Sequence, residues 1–196
     1  MLANNKQYFK EEIIMAKNFY KSLMMSEDVQ SMMFTGIFVD GDGKEAECHN
    51  GAIVVKGAMA DHGVYAGLKD PNVFKIAAPA ADTDKLCVVD YVDVSHGEIM
   101  GVNYRDGIKT YGIPAPAGAR VRVRKLADGD TGYFAAGNFV GNPEAGKFAV
   151  ATAGDTLLTV VDAAPEGKSY FEIHFGKHTT EGMVNTGTDY FVEFHA

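Results

Sequence analysis

The chain has 196 residues, with 26 Asp and Glu set against 18 Lys and Arg for a formal charge of −8. That balance argues against non-specific nucleic-acid binding, which needs a net basic face to displace counterions, and no run of about 18 apolar residues is present to cross a membrane as a helix. With 46% hydrophobic and 22% charged residues, the composition predicts a soluble globular chain long enough to bury a core, made in the cytoplasm.

The first 33 residues carry the only helical signal. Lys10-Glu11-Glu12-Ile13-Ile14-Met15 can be back-translated as a purine-rich ribosome-binding stretch, an AT-rich spacer and a start codon, which makes Met15 a candidate initiator and residues 1–14 a translated leader. The other reading is an ordinary amphipathic helix opened by Lys and Glu. The segment lacks the charged-then-apolar order of a secretory signal, being interrupted by Lys6, Lys10, Glu11 and Glu12. Beyond Met15, Phe19, Leu23 and Met24 recur at helical spacing until Ser26-Glu27-Asp28 breaks the pattern like a new N-cap. Residues 1–33 are expected to form a leader and a projecting arm, helical or extended. Met24, Met25, Met32 and Met33 serve either an adaptable partner surface or plain core packing.

From residue 34 to residue 196 the pattern is all-β, predicting a sandwich or barrel of short antiparallel strands. The chain holds 22 glycines, most of them after Thr35 and between short apolar runs, as turns between strands would be. "MMFTGIFVD" and "GAIVVKGAM" flank Asp40-Gly41-Asp42-Gly43, which begins like a calcium loop. Lys44, Glu45 and Gly51 stand where an EF-hand needs its fifth, sixth and twelfth residues, so a hairpin turn is the better reading. Cys48 and Cys87 belong to no CxxC or Cys/His cluster and are expected to be buried free thiols. "KLCVVDYVDV" is a third strand, and Ser95-His96-Gly97 after it reads as a turn.

"YGIPAPAGAR", with Pro114 and Pro116, cannot serve a central strand and marks a loop that would divide two β-subdomains, 34–112 and 117–196, if there are two. "ARVRVRKL" alternates strictly, placing Arg120, Arg122 and Arg124 on one face in a stripe of roughly 13 Å, with Val121 and Val123 on the other. Such a stripe suits an acidic partner surface through bidentate pairing, or else a solvated face balanced by acids across the strand pair. "GYFAAGNFV", "KFAVAT", "TLLTVVDA", "SYFEIHF" and "TDYFVEF" complete the series. In the last, Tyr190, Val192 and Phe194 share a packed face and Phe191, Glu193 and His195 the other. His174 and His178 in "HFGKH" have metal-clamp spacing only on a helix, and this stretch has strand character, with Glu172 on the face of His174. No GxSxG, phosphate loop or dinucleotide fingerprint is present, so no catalytic residue, metal ligand or cofactor is predicted.

"KLCVVDYVDVSHGEIMGVNYRDG" and "GIPAPAGARVRVRKLADGDTGYFAAGNFVGNPEAGKFAVATAG" resemble the small β-rich virion structural proteins of tailed bacteriophages, in particular capsid decoration or auxiliary head proteins, over Gly36 to Ala196. The resemblance implies a non-enzymatic cement protein of the virion, seated on the assembled major capsid protein and on copies of itself. It also implies an N-terminal arm reaching a neighbour, here residues 15–33, and contacts through Phe19, Leu23 and Met24 together with the arginine stripe. The chain is longer than the smallest decoration proteins, which leaves a tail position open. The rival expectations are a carbohydrate- or ligand-binding β-sandwich that stacks sugars on Tyr104, Tyr111 and Tyr133, and a metal enzyme built on His174 and His178.

Overall fold

The computed structural model describes residues 22–25, 33–80, 85–90, 98–99, 102–103, 114–181 and 184–196. In chain order the strands are β1 (Ser22–Met25), β2 (Met33–Phe38), β3 (Ile53–Asp61), β4 (Lys69–Ala77), β5 (Leu86–Val89), β6 (Glu98–Ile99), β7 (Val102–Asn103), β8 (Val121–Lys125), β9 (Thr131–Ala135), β10 (Phe139–Val140), β11 (Phe148–Ala151), β12 (Leu158–Val161), β13 (Tyr170–Glu181) and β14 (Val184–His195). A single 3₁₀ turn, Ala136–Asn138, is the one helical element among the described residues. The all-β expectation therefore holds.

Two β-layers make the body. Strands β2-β4-β3-β5-β8 close into a barrel, and β1-β9-β14-β13-β11-β12-β10 form a seven-stranded sheet. Pairing is antiparallel except between β2 and β4 and between β10 and β12, which run parallel. The last two strands are longer than expected, 12 residues each, because "SYFEIHF" and "TDYFVEF" continue into one hairpin. Strand β4 is not among the strands expected from the sequence, and it runs through Asp70-Pro71-Asn72. Pro71 is tolerated because it falls between the Asp61–Lys69 and Met59–Phe74 pairs, where the ladder is interrupted. The passage from barrel to sheet lies at residues 126–130, one strand later than the Pro114–Pro116 loop, because Val121 and Val123 of β8 are needed inside the barrel.

The arm's described portion is extended. Strand β1 lies antiparallel to β9 at the edge of the sheet, with Leu23 opposite Tyr133 and Met24 opposite Gly132. The helical spacing of Leu23 and Met24 is overridden by a ladder offering hydrogen bonds to any backbone that reaches it. Phe19 and the Lys10–Met15 stretch lie outside the described residues.

Alternation along β3 and β5 divides the apolar residues between two cores. Val54, Cys87 and Val89 enter the barrel lumen with Ile76, Val121 and Val123. Ile53, Leu86 and Val88 leave by the opposite face and pack on Phe134, Phe171, Ile173, Val192 and Phe194 of the sheet. Being covered on both sides is why Leu-Cys-Val-Val at 86–89 is an unbroken apolar run, every residue of it buried. Polar links fasten the same joint: Ile53 N–H donates to Thr156 O at 2.8 Å, and the buried Asn138 side-chain amide donates to Asn50 O at 2.9 Å.

The turn at Asp40–Lys44 forms as expected. The Asp40 carboxylate accepts from the backbone N–H of Asp42 and Lys44, at 3.0 and 2.9 Å, and Gly43 takes the left-handed φ of 78° that a side chain would resist.

Candidate docking surface

The inner face of the seven-stranded sheet is apolar and covered; the outer face is paved with rings. Its pavement begins with register. Phe175 on β13 stands opposite Phe191 on β14, which stands opposite Tyr133 on β9, which stands opposite Leu23 of the arm. Phe175 and Phe191 stack at 5.1 Å with planes 18° apart, and Tyr133 meets Phe191 at 5.2 Å and 57°.

A bulge makes this row possible. With strict alternation, Phe171, Ile173 and Phe175 would all face the core. The pairing shifts register between Ile173 and Phe175, so His174 is inserted and Phe175 turns outward, where it is 44% exposed.

Next to the apolar row lies a polar one. Glu172 and Glu193 sit directly opposite each other, an arrangement that repels unless neighbouring groups offset it. Two imidazoles stand beside them: His174 Nε2 lies 3.1 Å from Glu193 Oε2, and His195 Nε2 lies 3.6 Å from Glu172 Oε2. Tyr170 stacks on the His195 ring at 4.8 Å and meets Phe148 edge-on at 5.6 Å, carrying the rings across to β11. Among the described residues, no group of three or more His, Cys, Asp or Glu is placed to hold a metal ion. His178 is opposite Thr188, further along the hairpin and away from the Glu172–Glu193 pair.

The hairpin also outreaches its supports. β11 pairs with β13 only at Phe171 and Glu172, and β9 pairs with β14 only from Asp189 to Glu193. Beyond those positions, Lys177 to Gly187 is paired within the hairpin alone among the described residues. A two-stranded ribbon is marginal by itself in water.

The arginine stripe lies elsewhere, on the outside of the barrel. Arg120 Nη2 donates to Asp70 Oδ2 at 2.9 Å and Arg122 Nη2 donates to Asp90 Oδ2 at 2.6 Å. The two carboxylates are mostly covered, 14% and 19% exposed, while the guanidinium side chains remain 61% and 57% exposed. Each arginine is thus held in place by a carboxylate and keeps further N–H donors for another acceptor, with its charge already balanced locally. Arg124 is half-buried where β8 pairs with Val88. Strand β8, which carries Arg122 and Arg124, belongs to the barrel, and β1, which carries Leu23 and Met24, to the seven-stranded sheet, while Phe19 lies outside the described residues. A further apolar spot is the β3–β4 loop, where Val64, Tyr65 and Leu68 are exposed and the backbone N–H groups of Val64 and Tyr65 donate to His62 Nδ1.

The two thiols are internal. Burial pushes Cys48 up to about 12 and Cys87 up to about 11, which keeps both protonated at neutral pH and unreactive as nucleophiles. Of the tyrosines proposed as sugar platforms, Tyr133 is half-buried within the ring row, whereas Tyr104 and Tyr111 lie outside the described residues.

Comparison of the chain with protein-family models, with curated proteins and with solved structures finds no match.

Proposed function

We propose that the protein is a bacteriophage virion structural protein, a capsid decoration protein that seats on the assembled major capsid protein through the ring-paved outer face of its seven-stranded sheet. The observation that carries the reading is the Tyr133–Phe191–Phe175 row, partly exposed and continuous in register with the arm strand β1. Aromatic rings with apolar bodies supply much of the energy of protein–protein contacts. Lys177 and the described residues beyond it in the hairpin, paired only within the hairpin among the described residues, would gain stability from a neighbour laid against them. Repetition on a lattice would multiply such contacts by avidity, so each copy needs only modest affinity.

The test is co-sedimentation of the full-length protein with expanded capsids. Binding in fixed stoichiometry, lost in Phe175→Ser combined with Tyr133→Ser while the variant keeps its unfolding free energy within about 1 kcal/mol of the parent, is the expected result. Protein that stays in the supernatant at every capsid concentration refutes the role.

A further inference from the structure

We infer that one end of the barrel is a binding site for a small organic anion, a carboxylate or phosphate ester carrying an apolar body. Strand parity assembles it. Lys56 stands two residues beyond the lumen residue Val54 on β3, Lys125 two beyond Val123 on β8, and Lys85 two before Cys87 on β5. Cys87 is in register with both Val54 and Lys125, so the three lysines reach the same end of the barrel on its lumen side.

A cleft of about 740 Å³ opens at that end of the barrel, walled by Lys56, Lys85 and Lys125 together with Leu86, Leu126, Phe194 and Ala196. The volume falls within the range of small-ligand sites, and cations beside apolar walls are the usual way to orient an amphiphilic anion. Lys56 is further restrained by rings, its Nζ lying 3.4 Å from the centroid of Phe74 and 4.8 Å from that of Phe34.

Charge balance separates these lysines from several others in the chain, though Lys44 and Lys177 share the lack of a carboxylate within 4.0 Å among the described residues. Lys69, Lys75, Lys147, Arg120 and Arg122 each have a carboxylate within 4.0 Å. Lys56, Lys85 and Lys125 have none among the described residues. Three lysines on the wall of one concave site in an acidic protein favour an anion in that cleft. Burial keeps the Cys87 thiol in the cleft wall protonated, although Lys125 and Lys56 pull its pKa the other way.

The site is independent of the assembly role, and either can fail alone. The experiment is a titration of isotope-labelled full-length protein with inorganic phosphate and with hexanoate, at low ionic strength, followed by amide chemical shifts. Saturable shifts confined to Lys56, Leu86, Cys87 and Lys125 are expected, with hexanoate binding the tighter because of the Leu86, Leu126 and Phe194 walls. Lys56→Gln combined with Lys125→Gln should weaken binding about tenfold or more, as loss of charged hydrogen bonds does. Lys85→Gln provides a second variant at an exposed strand entry, and spectral dispersion reports folding in both. Shifts that do not saturate, or that spread over lysines elsewhere, overturn the site; saturable phosphate binding without hexanoate binding overturns its apolar half.

Discussion

The two cores solve different packing problems with different residues. The barrel lumen holds Val, Ala, Ile and Cys, with Gly36 facing Ile76 and Val123, and admits Phe34 and Phe38 only as partly buried neighbours. The space between barrel and sheet holds Phe134, Phe139, Phe171 and Phe194. A five-stranded barrel is narrower than the eight-stranded ones whose interior side chains just fill, so small and β-branched groups suffice inside it. Stacked layers about 10 Å apart need long side chains from both faces, and phenylalanine supplies them. Edge-to-face contacts of Phe134 with Phe139 at 6.2 Å and with Phe171 at 5.7 Å show how the wider gap is filled.

This contrast can be broken from either side. Phe171→Ala should be the most damaging change, costing about 3–5 kcal/mol, because the interlayer gap is set by strands that cannot collapse onto the void. Urea unfolding measures it, and a loss below about 1 kcal/mol would mean that the layers move together freely.

The lumen should answer to alkali. An unfolded thiol ionises near 8.5, whereas Cys48 and Cys87 are pushed up to about 12 and about 11 by burial. Between those values the unfolded chain has released protons that the folded chain retains. Their contribution is therefore fully present below about pH 8.5 and declines as pH rises, by about 1.4 kcal/mol per pH unit for each thiol. Unfolding midpoints compared at about pH 8 and about pH 10 should fall more steeply in the parent than in Cys48→Ala combined with Cys87→Ala; parallel slopes would contradict the assignment.

Gly36→Ala sharpens the comparison by overfilling. An added Cβ would stand 2.9 Å from Ile76 Cδ1 and from Val123 Cγ2. The expected cost is about 1–3 kcal/mol, the smallest of the three by its lower bound, since both neighbours are side chains that can shift.

What was legible in the sequence followed from local chemistry. Leu-Cys-Val-Val, the Val-Arg alternation of β8, the Asp40–Lys44 turn and the one-sided packing of Val192 and Phe194 each depend on residues within a few positions of one another. Long-range partnerships were not legible. Arg120 meets Asp70 across 50 residues and Arg122 meets Asp90 across 32, so the choice between a docking strip and a balanced face could not be made from the stripe itself. Strand β4 hid behind Pro71, and the bulge at His174 reversed the expected side of Phe175 without any glycine or proline at that position to announce it. The lysine cleft draws one residue from each of β3 and β8 and one from the entry to β5, and no spacing rule connects positions 56, 85 and 125.

Because β3 and β5 face both cores, neither layer is a free-standing module. A fragment that ended before β9 would lay Ile53, Leu86 and Val88 bare on the barrel wall, and one that began at β9 would strip the phenylalanines of their cover. Excising either half therefore yields a sticky fragment rather than a smaller protein. The whole body should melt in one cooperative step, with the amides of β5 the last to exchange with solvent deuterium.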